Sequence, residues 1–341
     1  MNQALVLSSE GLAWSEIPRP SIEDPHEALV RPIAVTVCDV DIRMLSGELP
    51  VLSPTVLGHE GVAEVLEAGG ESGVSRGDLV SVSWSIACGR CDRCAADLRT
   101  SCRAVPRGAM FGMPGQPWGG LLADVVKVPF ARAMLTLLPQ NLPAHAFVGL
   151  SCNLPLVCQA ISPHPLSGEG ESVLVVGGPG GLGLYAVAMA FALGARRVDY
   201  LDERGDSGEK GDIAAALGAE VLSSAPPRTA EYSLAVVASV EPALLLAALR
   251  ALRPEGACEV VAPYLAPVEL PLTELFFKGV TLRFSRHASQ ESTLRALELL
   301  ALGRIAVDTI QGETLPWEAL PEVLATPTPK PVFSRARATH V

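Results

Sequence analysis

The chain has no surplus of basic side chains: 26 lysines and arginines stand against 37 aspartates and glutamates, a formal net charge of −11. Nucleic acid and anionic membrane surfaces attract the opposite balance, so neither is expected as a partner. A long apolar run is missing too. The most hydrophobic stretch, LGLYAVAMAFALGA (182–195), is bounded by glycines and falls short of the roughly 20 residues that a bilayer span needs. The opening MNQALVLSSEG alternates like a strand and shows no basic start followed by an apolar segment. A secretory leader is therefore not expected, and the cytoplasm is the expected location. Internal repeats and low-complexity tracts are lacking as well. What remains is 341 residues, 49% hydrophobic and 18% charged, too long for one compact core and suited to two domains.

Eight cysteines without a leader point to a reducing compartment, where thiols hold metals or do chemistry. Half of them crowd into CGRCDRCAADLRTSC (88–102). Cys88, Cys91, Cys94 and Cys102 follow C-x2-C-x2-C-x7-C, a spacing that brings three sulfurs together from one tight loop and a fourth on the return. Four thiolates closing a tetrahedron leave no open position, which is how a structural Zn²⁺ is held. Disulfides are the competing reading, but they need an oxidising compartment, and cysteines so close in sequence pair poorly. Gly89 sits where the loop must bend sharply. Arg90, Arg93 and Arg103 are near enough to offset part of the sulfur charge.

Along the chain the rhythm changes once. Residues 1 to about 150 are short Val-rich alternating runs, at 27–37, 61–69, 78–84 and 121–129, and predict a β-dominated domain. From about residue 155, strand and helix patterns alternate: strands at 173–176, 196–202, 233–239 and 256–263, and helices after 182, from 213 and at 242–252. Such alternation predicts a parallel, doubly wound sheet, so the fold class is α/β. VTLRFSR (280–286) is a last strand. A Leu-spaced helix and a Pro-rich tail follow it and add no further strand–helix unit, so the tail is expected to return to the first domain.

Gly178-Pro179-Gly180-Gly181-Leu182-Gly183 fits G-x-G-x-x-G between a strand and a helix. The first glycine makes the turn, the second lets the backbone approach a pyrophosphate, and the third lets helix and strand pack closely. A glycine-rich turn in an unrelated α/β fold is the competing reading. Asp202 closes the next strand about twenty residues on, where a carboxylate accepts from both ribose hydroxyls. It would repel a 2′-phosphate, which favours NAD over NADP, although Arg204 nearby softens that preference.

Cys38, His59 and Cys152 are far apart in sequence. Singly, each reads as a buried thiol or a core histidine. Together they make a soft two-sulfur, one-nitrogen set with an open fourth position, the composition of a catalytic zinc site. Cys158 and Cys258 read as core thiols, and His26, His145, His164, His287 and His340 as exposed.

In order, TVCDVD, LGHEGVAEVLEAGG, the four-cysteine loop, GLSCNLP, GGPGGLG with Asp202, and LTELFFKGVTLRFSR resemble the zinc-containing alcohol dehydrogenases of the medium-chain dehydrogenase/reductase family. The stretch from GDLVSVSWSIACGRC to GLSCNLP is most similar to the glutathione-independent formaldehyde dehydrogenase branch, whose usual insertions this chain is too short to carry. The resemblance implies a GroES-like, β-rich catalytic domain (1–153 and 287–341) holding both zincs, and a Rossmann domain (154–286). It implies Cys38, His59 and Cys152 as ligands of the catalytic zinc, with Glu60 behind the metal and Asp41 accepting a hydrogen bond from the His ligand. Trp84 falls where the family has an aromatic wall of the substrate pocket. The implied reaction is hydride exchange between an alcohol or polyol and a nicotinamide, with the zinc acting as a Lewis acid. The implied assembly is a homodimer or homotetramer through VTLRFSR, and the implied partner is a small-molecule substrate.

Three departures from the family pattern stand out. Val40 replaces the hydroxyl residue that takes the alcohol proton, Arg43 replaces the histidine that passes it on in the animal enzymes, and Leu156 replaces a threonine near the nicotinamide. Ala63 replaces a glycine, a lesser change. The usual proton exit is thus missing from a complete metal set. Two other activities stay open on this pattern: reduction of an activated C=C or C=N bond, and zinc and dinucleotide binding without turnover.

Overall fold

The computed structural model describes residues 1–51, 53–166, 168, 170–204, 208–226, 232–286, 289–325 and 330–337. It forms two compact units: Met1–Asn153 with His287–Ala301 and Gln311–Val341, and Leu154–Arg286 with Leu302–Ile310. The segment 287–341, expected to return whole to the first domain, is therefore divided. Its Leu302–Ile310 part goes with the second unit because Ile305, Val307 and Ile310 are buried there, and Arg304 reaches the Ala192 carbonyl at 3.5 Å.

The first unit is built on a seven-stranded mixed sheet. Its centre is the antiparallel pair Ala28–Thr36 and Glu60–Ala68. Both strands are Val-rich and largely buried, so they carry the core of this unit. One register slip falls between Pro32 and Ala34, where proline offers no N–H to the ladder. The register ends on Thr36 opposite Glu60, so the residues just beyond each strand end, Cys38 and His59, leave the sheet at the same edge. Val332–Ser334, near the C-terminus, pairs with the other side of Ala28–Thr36. The expected strand at 121–129 is regular only over Val126–Val128. Residues 121–124 instead make scattered single bonds to Gln3, Leu5, Leu57 and Gly58.

The second unit is a six-stranded parallel sheet in the order Glu220–Leu222, Val198–Asp202, Val173–Gly177, Tyr232–Val237, Leu252–Val260, Thr281–Phe284. In sequence terms this is third, second, first, fourth, fifth, sixth, the doubly wound order of dinucleotide-binding folds. Val173–Gly177 is buried along its whole length, as an apolar run covered on both faces should be. Helix Leu182–Ala192 follows it, with all but one of its residues buried. No single helix among the described residues is long and apolar enough to cross a membrane.

One charged cluster lies inside this unit. Glu259 is 1% exposed and accepts from Arg283 Nε at 2.8 Å and Ser285 Oγ at 2.7 Å, with His164 Nε2 at 2.8 Å. His164, expected to be exposed, is thus drawn to a buried carboxylate. His26 and His145 are half-buried; His287 and His340 lie outside the described residues. Cys158 and Cys258 are fully buried. Burial works to raise Glu259, but the three partners outweigh it and hold the carboxyl below its ordinary range. A carboxylate depressed in the folded state stabilises the fold above its unfolded pKa, and that contribution fades as pH falls through the folded one. Glu259→Gln, which removes the charge from these hydrogen bonds while Arg283 stays 40% exposed to water, is expected to cost about 1 kcal/mol near neutral pH. In urea unfolding followed across pH, variant and parent should converge on the acid side.

Candidate active site and metal centres

The four-cysteine loop closes on itself. The Sγ atoms of Cys88, Cys91, Cys94 and Cys102 all lie within 4.8 Å of one another. Cys88–Cys94 and Cys91–Cys102 are each 4.0 Å apart. A tetrahedron with Zn–S near 2.3 Å puts sulfurs about 3.8 Å apart, whereas a disulfide needs about 2.05 Å. Gly89 has φ +73°, and a Cβ there would meet the Ala133 Cβ at 2.6 Å. Backbone N–H groups do part of the electrostatic work: those of Cys88 and Ala104 each reach Cys102 Sγ at 3.4 Å. The N–H groups of Arg103 and Cys94 lower Cys91 to about 6. Burial, by contrast, pushes Cys94 up to about 12. Four thiols so placed cannot all ionise unaided, and a dication would relieve this. The arginines contribute less than expected: Arg90 is 3.1 Å from His26 Nε2, Arg103 pairs with Asp92, and Arg93 is exposed.

The second group is assembled from three places. Cys38 is the N-cap of helix Asp39–Leu45. His59 precedes strand Glu60–Ala68, and Cys152 follows the turn Ala144–Ser151. Their donor atoms also lie within 4.8 Å of one another, and all three residues are buried. Asp41, fully buried, serves two of them. Its Oδ2 accepts from the Cys38 backbone N–H at 2.8 Å, and its Oδ1 lies 3.5 Å from His59 Nδ1. A ring whose Nδ1 faces a carboxylate presents Nε2 to a metal. Ser151 fixes the third arm, donating to the Gly61 carbonyl at 2.6 Å and accepting from the Gly61 N–H at 3.0 Å.

The charges at this site suit a bound dication. The sulfurs of Cys38 and Cys152 are 4.0 Å apart. Contact with Cys152 draws Cys38 well below the ordinary thiol value, while Cys152 is pushed well above it by Cys38 and by burial. The two sulfurs are thus driven toward opposite protonation states. Burial opposes a charged ring at His59, yet Asp41 and Cys38 raise it well above its ordinary value. The donor set is two soft sulfurs and an imidazole, the composition that suits zinc with an open position. Loading must release protons. Behind the group, Glu60 is fully buried and pushed up to about 7 by burial, against the pull of Lys330. Lys330 Nζ donates to Glu60 Oε2 at 2.5 Å and to the Val37 carbonyl at 2.9 Å.

The dinucleotide candidate lies in the second unit. Gly178, Gly180 and Gly181 form the turn between Val173–Gly177 and helix Leu182–Ala192. A Cβ on Gly183 would come within 2.7 Å of Gly177 Cα, the close helix–strand approach the third glycine exists to allow. Asp202 ends its strand 3% exposed, accepting from Tyr200 Oη and the Arg204 N–H at 3.0 Å each. Lys210 Nζ lies 2.8 Å from Asp202 Oδ2 and donates to the Gly178 carbonyl at 2.5 Å. These residues fit a dinucleotide.

The sequence motifs thus come together as three separate groups: the four sulfurs, the trio with Asp41 and Glu60, and the glycine turn with Asp202. Trp84 is half-buried, and its backbone N–H donates to the Ser151 carbonyl at 3.2 Å, one residue from Cys152. Val40 is half-buried and packs against the core of the first unit. Arg43 is paired with Glu48. Lys330, Lys210 and Asn153 escaped the sequence reading. Nothing in local pattern marks a lone lysine that reaches back across the chain.

Residues 24–140 match the family model described as alcohol dehydrogenase GroES-like domain. The chain is 30% identical over 317 residues to "Probable zinc-binding alcohol dehydrogenase Rv1895" of Mycobacterium tuberculosis, covering 91% of this chain and 80% of that one. It is 32% identical over 192 residues to a glutathione-independent formaldehyde dehydrogenase of Pseudomonas aeruginosa, covering 52% of this chain and 48% of that one. Among solved structures, alcohol dehydrogenase TADH from Thermus sp. ATN1 superposes with a TM-score of 0.87 at 29% identity, covering 97% of this chain and 99% of that one. The match to the Mycobacterium tuberculosis protein and the superposition on the Thermus enzyme each run along nearly the whole chain, which therefore belongs to the zinc-containing alcohol dehydrogenases of the medium-chain dehydrogenase/reductase family.

Proposed function

We propose that this chain is a zinc-dependent, NAD-linked dehydrogenase that oxidises a CH–OH group of an alcohol or polyol, or reduces the matching carbonyl. The observation that carries the reading is the buried Cys38, His59 and Cys152 trio with Asp41 behind it. In this reading two zincs bind per chain, one at the trio and one at Cys88, Cys91, Cys94 and Cys102. When bound, the catalytic ion polarises the substrate oxygen and the nicotinamide exchanges the hydride.

The chain's own residues have the following parts. Asp41 holds the Cys38 backbone and the His59 ring in one arrangement. Glu60, neutralised by Lys330, keeps the charge behind the trio balanced. Trp84 forms a wall of the substrate pocket. Val40 offers no hydroxyl and Arg43 is held by Glu48, so the substrate proton leaves by another way, through water or a neighbouring substrate hydroxyl. A polyol supplies such a hydroxyl, which is why it is the favoured substrate class. The same two residues favour a second reading, reduction of an activated C=C or C=N bond, where protonation of an alkoxide is not central. Asp202, closing the second strand of the sheet, supports NAD, and Lys210 beside it tempers the preference.

Among the described residues the edge strand Thr281–Phe284 pairs on one side only, with Leu252–Val260. Phe276, Phe277 and Phe284 are 79%, 83% and 62% exposed. Phe284 ends this strand and Phe276 and Phe277 stand on the preceding helix Leu272–Lys278; exposed apolar side chains on and beside an open edge favour self-association and support a homo-oligomer formed through this edge.

Metal analysis after dialysis is expected to find about two zincs per chain, with one lost in Cys94→Ser and the other in Cys38→Ser. Absorbance at about 340 nm with a panel of alcohols, polyols, enones and imines should show turnover on the hydroxyl compounds; turnover on enones or imines alone would favour the second reading. Val40→Ser is expected to leave alcohol turnover at neutral pH almost unchanged. A gain approaching the ~100-fold of a general acid–base group would mean that no alternative proton route works. Asp202→Ala should narrow the NAD-over-NADP ratio of kcat/KM by about tenfold, the worth of one partly screened charge contact. Phe276→Asp with Phe284→Asp should yield monomers in light scattering.

A further inference from the structure

Asn153 follows Cys152 and is fully buried. Its backbone N–H donates to Glu60 Oε1 at 3.4 Å, and its side-chain Oδ1 accepts from Cys38 Sγ at 3.3 Å. Its Nδ2 is buried with no hydrogen-bond partner. An unsatisfied buried amide costs about 1–3 kcal/mol, so the arrangement calls for a reason. It also requires a proton on the Cys38 sulfur. A metal ligand is a thiolate without that proton, and the amide oxygen would then face an anion at hydrogen-bond distance. Half a turn about the terminal side-chain torsion removes the second fault. The two ends of a carboxamide have nearly the same shape, and their orientation follows from the hydrogen-bond network. The turned amide directs N–H at the sulfur from the same position, and the amide oxygen takes the place that Nδ2 held.

We propose that Asn153 donates a side-chain N–H hydrogen bond to the Cys38 thiolate of the metal centre and thereby sets how strongly the bound ion polarises substrate. The inference rests on the reading of Cys38, His59 and Cys152 as metal ligands. A thiolate whose lone pair is engaged by N–H gives less charge to the metal, which stays a stronger Lewis acid. Asn153 touches neither substrate nor metal and acts through Cys38. In a site without the usual hydroxyl at position 40, a more electron-poor ion favours the deprotonated alcohol directly.

The test uses the full-length protein with Co²⁺ loaded in place of zinc, read by its thiolate-to-metal charge-transfer absorption. Asn153→Leu, close in volume, and Asn153→Ala should both retain two metals per chain and shift the band to longer wavelength. Both should move the pH at which kcat reaches half its limit upward, with roughly tenfold lower kcat at neutral pH. A measurement without substitution is available because the chain has only three asparagines, Asn2, Asn141 and Asn153. With ¹¹³Cd as the metal and ¹⁵N-asparagine label, one side-chain amide proton should couple to cadmium through the hydrogen bond. Cys38→Ser separates the two readings. Unchanged metal content in that variant would overturn the metal-centre reading itself. Loss of one metal there, with an unmoved band in both Asn153 variants and no cadmium coupling, would overturn the donor role alone.

Discussion

The site depends on one buried carboxylate. Asp41 is fully enclosed, and its two oxygens go to different parts of the chain, one to the backbone of Cys38 and one to the ring of His59. The sheet register does the coarse work by ending Ala28–Thr36 opposite Glu60. Asp41 does the fine work, because a capping contact at the start of a helix and a ring-orienting contact are made by the same side chain. A single group that fixes two of the three candidate ligands removes most of their independent freedom before any metal arrives.

Charge is the second constraint. Two cysteines, a histidine, Asp41 and Glu60 are all buried in one small region, and a region so rich in anions needs cations. Lys330 supplies one directly against Glu60. The remaining imbalance shows in the divergent protonation of Cys38 and Cys152 and in the raised His59. The four-cysteine loop has the same character with less burial: backbone N–H groups stabilise sulfur where they can, and Cys94 is left high. In both places the polypeptide offers more negative charge than it can balance alone.

Sequence pattern revealed what is local and hid what is distant. The cysteine loop was legible because its chemistry sits in the spacing, and the glycine turn because strand, turn and helix are contiguous. The doubly wound sheet followed from alternation of two periods. The candidate metal trio was legible from donor type and family resemblance rather than from pattern, since no spacing links residues 38, 59 and 152. Lys330 and Lys210 act over long or irregular separations, and neither sits in a motif. His164 looked like a loop residue and turned out to answer the buried Glu259, a contact 95 residues away. The strand drawn at 121–129 shrank to three residues because alternation cannot tell a ladder from a series of single bonds.

The pairing of Lys330 with Glu60 spans 270 residues, and Thr36 likewise donates to the Pro331 carbonyl from across nearly the whole chain. The centre is therefore complete only when the segment carrying Lys330 and Pro331 has docked against Val37 and Thr36, and a chain that has not made this contact lacks the cation beside Glu60.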